Sequence, residues 1–135
     1  MGMGDWRAET YSDLEDAEAR IVALIAEISG EPSEAQVHSI WRAYLDVEKS
    51  IVFIKVEIDE ENPGRFVKAK RYSVPDERQA LQFALRNLRK GSESFALGDY
   101  GSSLRELREA RNYLRLILKA KRKIRTKDAS TSRTS

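Results

Sequence analysis

Apolar residues return at three- and four-residue steps in four separate stretches of this chain, and that spacing belongs to the α-helix. The first stretch runs from about Tyr11 to Ser29, with Leu14, Ala17, Ile21, Leu24 and Ile28 on one side. The second opens at Ser33, just after Pro32, and carries Val37, Ile40, Tyr44, Val47, Ile51, Ile54 and Ile58. The third follows Pro75-Asp76 with Leu81, Ala84, Leu88, Gly91 and Phe95. The fourth follows Gly98-Asp99-Tyr100-Gly101 with Leu104, Leu107, Ala110, Leu114, Ile117 and Ile124. A helix with one apolar stripe buries it against other helices, so four such stripes predict an all-α fold: an antiparallel four-helix up-and-down bundle.

Local signals set the limits of the elements at about 11–29, 33–61, 75–96 and 99–124. Ser12 with Glu15 three residues on reads as a capping box, and Gly30 as a stop. A length of 135 residues fits one domain with a core of its own. That domain is expected over 11–125, with residues 1–10 disordered or extended. Residues 126–135, rich in Ser, Thr and charge, are expected to be a disordered basic tail.

The stretch 51–74 supports a second reading. Ser50 to Asp59 is rich in β-branched residues, and Ile54, Val56 and Ile58 alternate with Lys55, Glu57 and Asp59. Asn62-Pro63-Gly64 then makes a turn signal, so helices plus a β-hairpin near 51–74 is the alternative. The helical reading is preferred because the seam runs unbroken from Val37 to Ile58. Its β-branched residues cost only about 0.5 kcal/mol each at most.

Composition removes whole classes of function. With no cysteine there is no disulfide, thiolate metal site or Cys nucleophile. The start of the chain lacks the basic and apolar regions of a signal peptide, and charges interrupt every apolar run. No membrane span and a cytoplasmic location are therefore expected. Three Asn, three Gln, no Cys and 34% charged residues match a thermophile's usage.

Charge is divided along the chain. Residues 1–63 carry 15 acidic against 5 basic side chains, whereas residues 64–135 carry 7 against 19. Such asymmetry implies either a basic surface for an anionic partner or two halves that neutralise each other. The basic half holds Arg65, Lys68, Lys70 and Arg71 with no acid among them, and then a row on the last helix. Arg105, Arg108, Arg111, Arg115, Lys119 and Arg122 recur there at three- or four-residue steps. These residues make a possible phosphate track for RNA or DNA, since each neutralised phosphate releases counterions. The competing expectation is that they pair with the acidic half.

Catalytic and metal chemistry find little footing. His38 is the only histidine, with Glu34 as the only acid within one turn before it. The pairs Glu15/Glu18, Glu57 with Glu60 or Glu61, and Glu106/Glu109 stand at helical spacing. Acidic pairs of this kind can hold Mg²⁺ in all-α nucleotide pyrophosphatases, so a Mg-dependent nucleotide-handling enzyme using Glu57, Glu60 or Glu61 is a third reading. No cofactor or resident metal is expected, because no phosphate-cradling glycine loop or paired ligand motif is present.

Gly91, Gly98-Asp99-Tyr100, Ser103-Leu104, Leu107 and Ala110 stand at spacings that resemble the helix-turn-helix of a tetratricopeptide repeat. The resemblance covers residues 88–110 and has no second copy at the repeat's period. It implies a tight helical hairpin with small residues where the helices cross, and carries no function.

The second helix is apolar on more than its core side, through Trp41, Val52, Phe53 and Val56. A helix of that kind is central in its bundle or covered by a partner. The expectation is a homodimer with these residues near the contact, and a non-enzymatic interaction or assembly module as the function.

Overall fold

In the computed structural model the described residues are 5–58 and 76–133, with side chains described over 6–58 and 76–120. Among them are four helices: α1 Asp5–Glu27, α2 Glu34–Glu57, α3 Glu77–Ala96 and α4 Tyr100–Arg133. The helical bundle read from the four stripes is the fold, and most of the stripe residues form its core, although Ile58 is exposed and the Ile124 side chain lies outside those described. Ile21, Ile40, Val47, Leu81, Leu88, Leu107 and Leu114 are fully enclosed.

The local signals account for most helix ends. Gly30 takes a positive φ of 72°, which an L side chain rarely adopts, and α1 has ended just before it. At the start of α2 the capping box is Ser33 with Gln36: the Gln36 amide donates to Ser33 Oγ, and the Ser33 amide donates to Gln36 Oε1. Asp76 caps α3 by accepting from the Gln79 amide. Asp99 accepts from the Ser102 amide at the start of α4, and those bonds with Ser102 hold its carboxyl below the usual carboxylate range.

Three boundaries depart from expectation. First, α1 begins at Asp5 rather than near Tyr11, so Ser12 lies within the helix and does not cap it. The cause is tertiary: Trp6 meets the rings of Phe95 and Tyr100 edge-on, with centroids 5.7 Å away in each case. Second, α4 extends to Arg133 rather than ending near 124, where a disordered tail was expected. Nothing after Gly101 is a Gly or Pro, so no residue there breaks the helix where the apolar seam ends. Third, the hairpin alternative fails at its first strand, because α2 is helical through Glu57. Its second strand, and the region 59–61 assigned to the helix, lie outside the described residues.

The helices form a square in which α2 touches α1 and α4, and α3 touches the same two. Lys49 in the second half of α2 meets Glu9 in the first half of α1, and Phe95 at the end of α3 meets Trp6 near the start of α1. Every touching pair is thus antiparallel, while α2 and α3 lie on a diagonal and run the same way. Up-and-down order describes each hairpin, and α3 begins at the end of the bundle opposite to the one where α2 finishes. Arg78 in the first turn of α3 donates to the Ile28 carbonyl just past the end of α1, tying that corner.

Within the second hairpin, α3 and α4 cross closely at Gly91. A Cβ there would lie 2.7 Å from Leu107 Cδ2, so any side chain at this position forces Leu107 to shift. Ser103 Oγ donates to the Gly91 carbonyl at 2.8 Å, at a fully buried site.

Candidate interaction face

The side of α2 turned away from the core carries the least expected surface of the molecule. Trp41, Leu45, Val52 and Val56 are 46, 53, 55 and 73% exposed. Steps of four, seven and four residues set them in one line along the helix. The core is already complete without them, because Ile40, Ala43, Val47, Ile51 and Ile54 fill the inner side. Trp41 meets Tyr44 edge-on, with ring centroids 5.3 Å apart, while much of its indole stays exposed.

Two charged lanes flank this ridge. On the α4 side, Arg111 reaches Glu48 of α2 at 3.0 Å. Arg108 and Arg115 lie three residues before and four after Arg111, hence on the same face of α4, with Arg115 and Lys119 exposed. On the α1 side, Lys49 bonds Glu9 at 2.8 Å and Asp13 at 3.2 Å. Those two hydrogen bonds raise the Lys49 ammonium above its ordinary value. Asp16 lies one turn beyond Asp13 and is exposed, as is Glu9. Across its width the face runs from a mixed lane, in which Glu9, Asp13, Asp16 and Asp46 outnumber Arg20, Arg42 and Lys49, over the apolar ridge to a basic lane.

Asp46 sits inside the acidic lane. Burial raises its carboxyl above the ordinary value, and the nearby Asp13 and Asp16 push the same way, against Arg20 and Arg42. A raised native value means that the folded state binds the Asp46 proton more tightly than the unfolded state. Its ionisation therefore costs stability at neutral pH, and that cost disappears as pH falls through the native value and then the unfolded one. Asp46→Asn should accordingly raise the melting temperature slightly at pH 7 and lose this advantage at acid pH. Thermal melts of both chains from pH 7 down to about pH 3 check this, and an Asn variant less stable at pH 7 contradicts it.

The expected site residues are only partly brought together. Trp41, Val52 and Val56 lie on the ridge, but Phe53 does not: it is half-buried under the Lys49 ammonium, 5.7 Å from the ring centroid. Leu45 was missed, although its four-residue step from Trp41 and seven-residue step to Val52 signal it. Of the arginine row, Arg111 clamps α4 to the acidic half, as does Arg89 of α3 through Glu18 at 2.8 Å. Arg105, Arg115 and Lys119 point to solvent, and Arg108 is half-buried. Arg65, Lys68, Lys70 and Arg71 lie outside the described residues, as does the Arg122 side chain.

Catalytic groupings do not assemble among the described residues. No three His, Cys, Asp or Glu side chains come together in a way that could hold a metal ion. His38 is exposed, Glu18 is paired with Arg89, and Glu106 accepts from Ser94 Oγ. Glu57 is exposed, while Glu60 and Glu61 lie outside the described residues. An open cleft of about 390 Å³ between α1 and α2 is lined by Ala19, Arg20, Ala23, Glu27, Ala35 and Gln36 among others. It has neither a histidine nor a carboxylate pair to run acid–base chemistry. No described helix is long and apolar enough to cross a membrane.

Comparison with protein-family models, with curated proteins and with solved structures finds no match for the chain. The resemblance of residues 88–110 to a tetratricopeptide hairpin thus extends to its close crossing at Gly91 and carries no family membership.

Proposed function

We propose that this chain is a non-enzymatic assembly module that associates with itself through the outer ridge of α2. The observation that carries the reading is the line Trp41, Leu45, Val52 and Val56, four large apolar side chains left in water beside a completed core. Covering one such side chain fully is worth roughly 1.5–3 kcal/mol, so a partner that covers the line gains several kcal/mol against the cost of association. Contiguous apolar surface rimmed by charge is the usual mark of a protein contact.

The test replaces two ridge residues, Leu45→Glu and Val52→Glu, which the fold does not need. The double variant should keep its helical circular dichroism and sediment as a monomer at concentrations where the unaltered chain is dimeric. Equal sedimentation of the two chains at all concentrations contradicts the reading.

A second reading, RNA or DNA binding, is favoured by the outward Arg105, Arg115 and Lys119. It expects the unaltered chain to bind nucleic acid with an affinity that falls steeply with salt, and Arg115→Ala to lower that slope by about one. The acidic lane of α1 and the pairing of Arg111 with Glu48 both oppose a polyanion on this face, which places self-association first.

A further inference from the structure

Resting on the self-association reading, we propose that two copies pack side by side and point the same way. Their twofold axis runs parallel to α2, so the α1 side of each copy faces the α4 side of the other. The three lanes of the face decide this. A twofold parallel to α2 turns the acid side of one copy onto the basic side of its partner. A twofold perpendicular to α2 sets acid against acid and base against base, and like charges brought together oppose association.

The register of the charges agrees with the parallel arrangement. Lys49 marks the level of Glu9 and Asp13 on α1, and its neighbour Glu48 marks the level of Arg111 on α4. Moving along the bundle from that level, Asp16 follows Glu9 by seven residues, and Arg115 follows Arg108 by seven. Because α1 and α4 run the same way, Glu9 comes level with Arg108 of the second copy and Asp16 with Arg115 of the second copy. At the centre, Glu48 on the α4 side of the ridge faces Lys49 of the second copy on its α1 side. Along the axis Trp41, Leu45, Val52 and Val56 each meet their own counterpart. A nucleic acid, an anionic membrane or an acidic helix would satisfy the basic lane alone and be repelled by the acidic one.

The absence of cysteine from the chain makes the geometry directly readable. A disulfide needs Cα atoms within about 7 Å. In the parallel dimer, Val52→Cys faces itself across the axis, as does Leu45→Cys, so each variant alone should form a covalent dimer on mild oxidation. In the opposed arrangement position 52 faces position 45, and two 52 sites stand seven residues out of register, roughly 10 Å. A mixture of the two variants that links 45 to 52, with neither linking to itself, overturns the parallel arrangement and leaves self-association standing. Unaltered chain that is monomeric by sedimentation overturns self-association itself.

Charge exchange gives an independent readout. Asp16→Arg alone and Arg115→Glu alone should each weaken the dimer by about tenfold at low salt. Mixing the two variants should restore it, because the mixed dimer again opposes unlike charges at both contacts. Single variants that dimerise as well as the unaltered chain also overturn the parallel arrangement.

Discussion

Phe95→Ala should cost about 3–5 kcal/mol of folding stability, the upper part of the range for deleting a buried aromatic ring. Phe95 is fully buried at the end of α3 and joins three elements through ring contacts. Its centroid lies 5.7 Å from Trp6, 5.5 Å from Tyr11 and 5.6 Å from Tyr100. The Arg7 guanidinium stands over the same ring at 5.6 Å. Alanine leaves a cavity beneath the first turn of α1, a turn anchored through Trp6. For a domain of this size the loss corresponds to a fall in melting temperature of roughly 10–20 °C. It should come with fraying of α1, seen as faster amide exchange before Leu14. Leu97→Ala, two residues further on but 83% exposed, should change stability by no more than about 0.5 kcal/mol. Equal effects of the two substitutions would contradict the assignment of Phe95 as the link between the hairpins.

Gly91→Val should also cost at least about 2 kcal/mol, by overpacking rather than by a cavity. The first added carbon already lies 2.7 Å from Leu107 Cδ2 and 2.9 Å from its Cγ. Leu107 is fully buried, so any shift it makes must be absorbed by the core around it. Valine adds two further methyl groups to that contact and separates Ser103 Oγ from the Gly91 carbonyl it serves. Helix propensity acts the other way, since leaving glycine gains up to roughly 1 kcal/mol in a helix. Gly91→Ala separates the two terms and should lose less than valine does. Chemical denaturation of both variants checks the order, and an alanine variant more stable than the unaltered chain would show that the crossing has room.

Much of the fold was legible because burial in a helical bundle repeats with the helix period. Ile21, Val47, Leu88 and Leu107 are each picked out by spacing alone, and each is enclosed. Contacts distant in sequence were not legible. Trp6 extends α1 backward through Phe95, some ninety residues away, and no local pattern encodes that. The run of α4 to Arg133 was missed for a different reason. Apolar spacing ends near Ile124, but no Gly or Pro follows to break the helix.

The candidate face was half legible. Trp41, Val52 and Val56 stand out as apolar residues beyond the seam of α2, but Phe53 shares their composition and not their direction. It lies about 100° round the helix from Val52, under Lys49. The flanking lanes were hidden altogether. The sequence displays an acidic half and a basic half, yet only the square order of helices sets acidic α1 and basic α4 on opposite sides of α2. Part of the charge division is pairing between the halves, the competing expectation from sequence, through Glu48–Arg111 and Glu18–Arg89, and part of it borders the apolar ridge, which neither sequence reading gave.

Sedimentation equilibrium of the unaltered chain is the decisive test of self-association, because mass is independent of shape and of any label. At tens of micromolar, a rough level for contacts of ordinary size, self-association predicts a species of twice the 15.4 kDa chain mass. It also predicts that the mass falls toward one chain on dilution and with the Leu45→Glu, Val52→Glu variant. A single species of 15.4 kDa at every concentration, with the ridge intact, would contradict it.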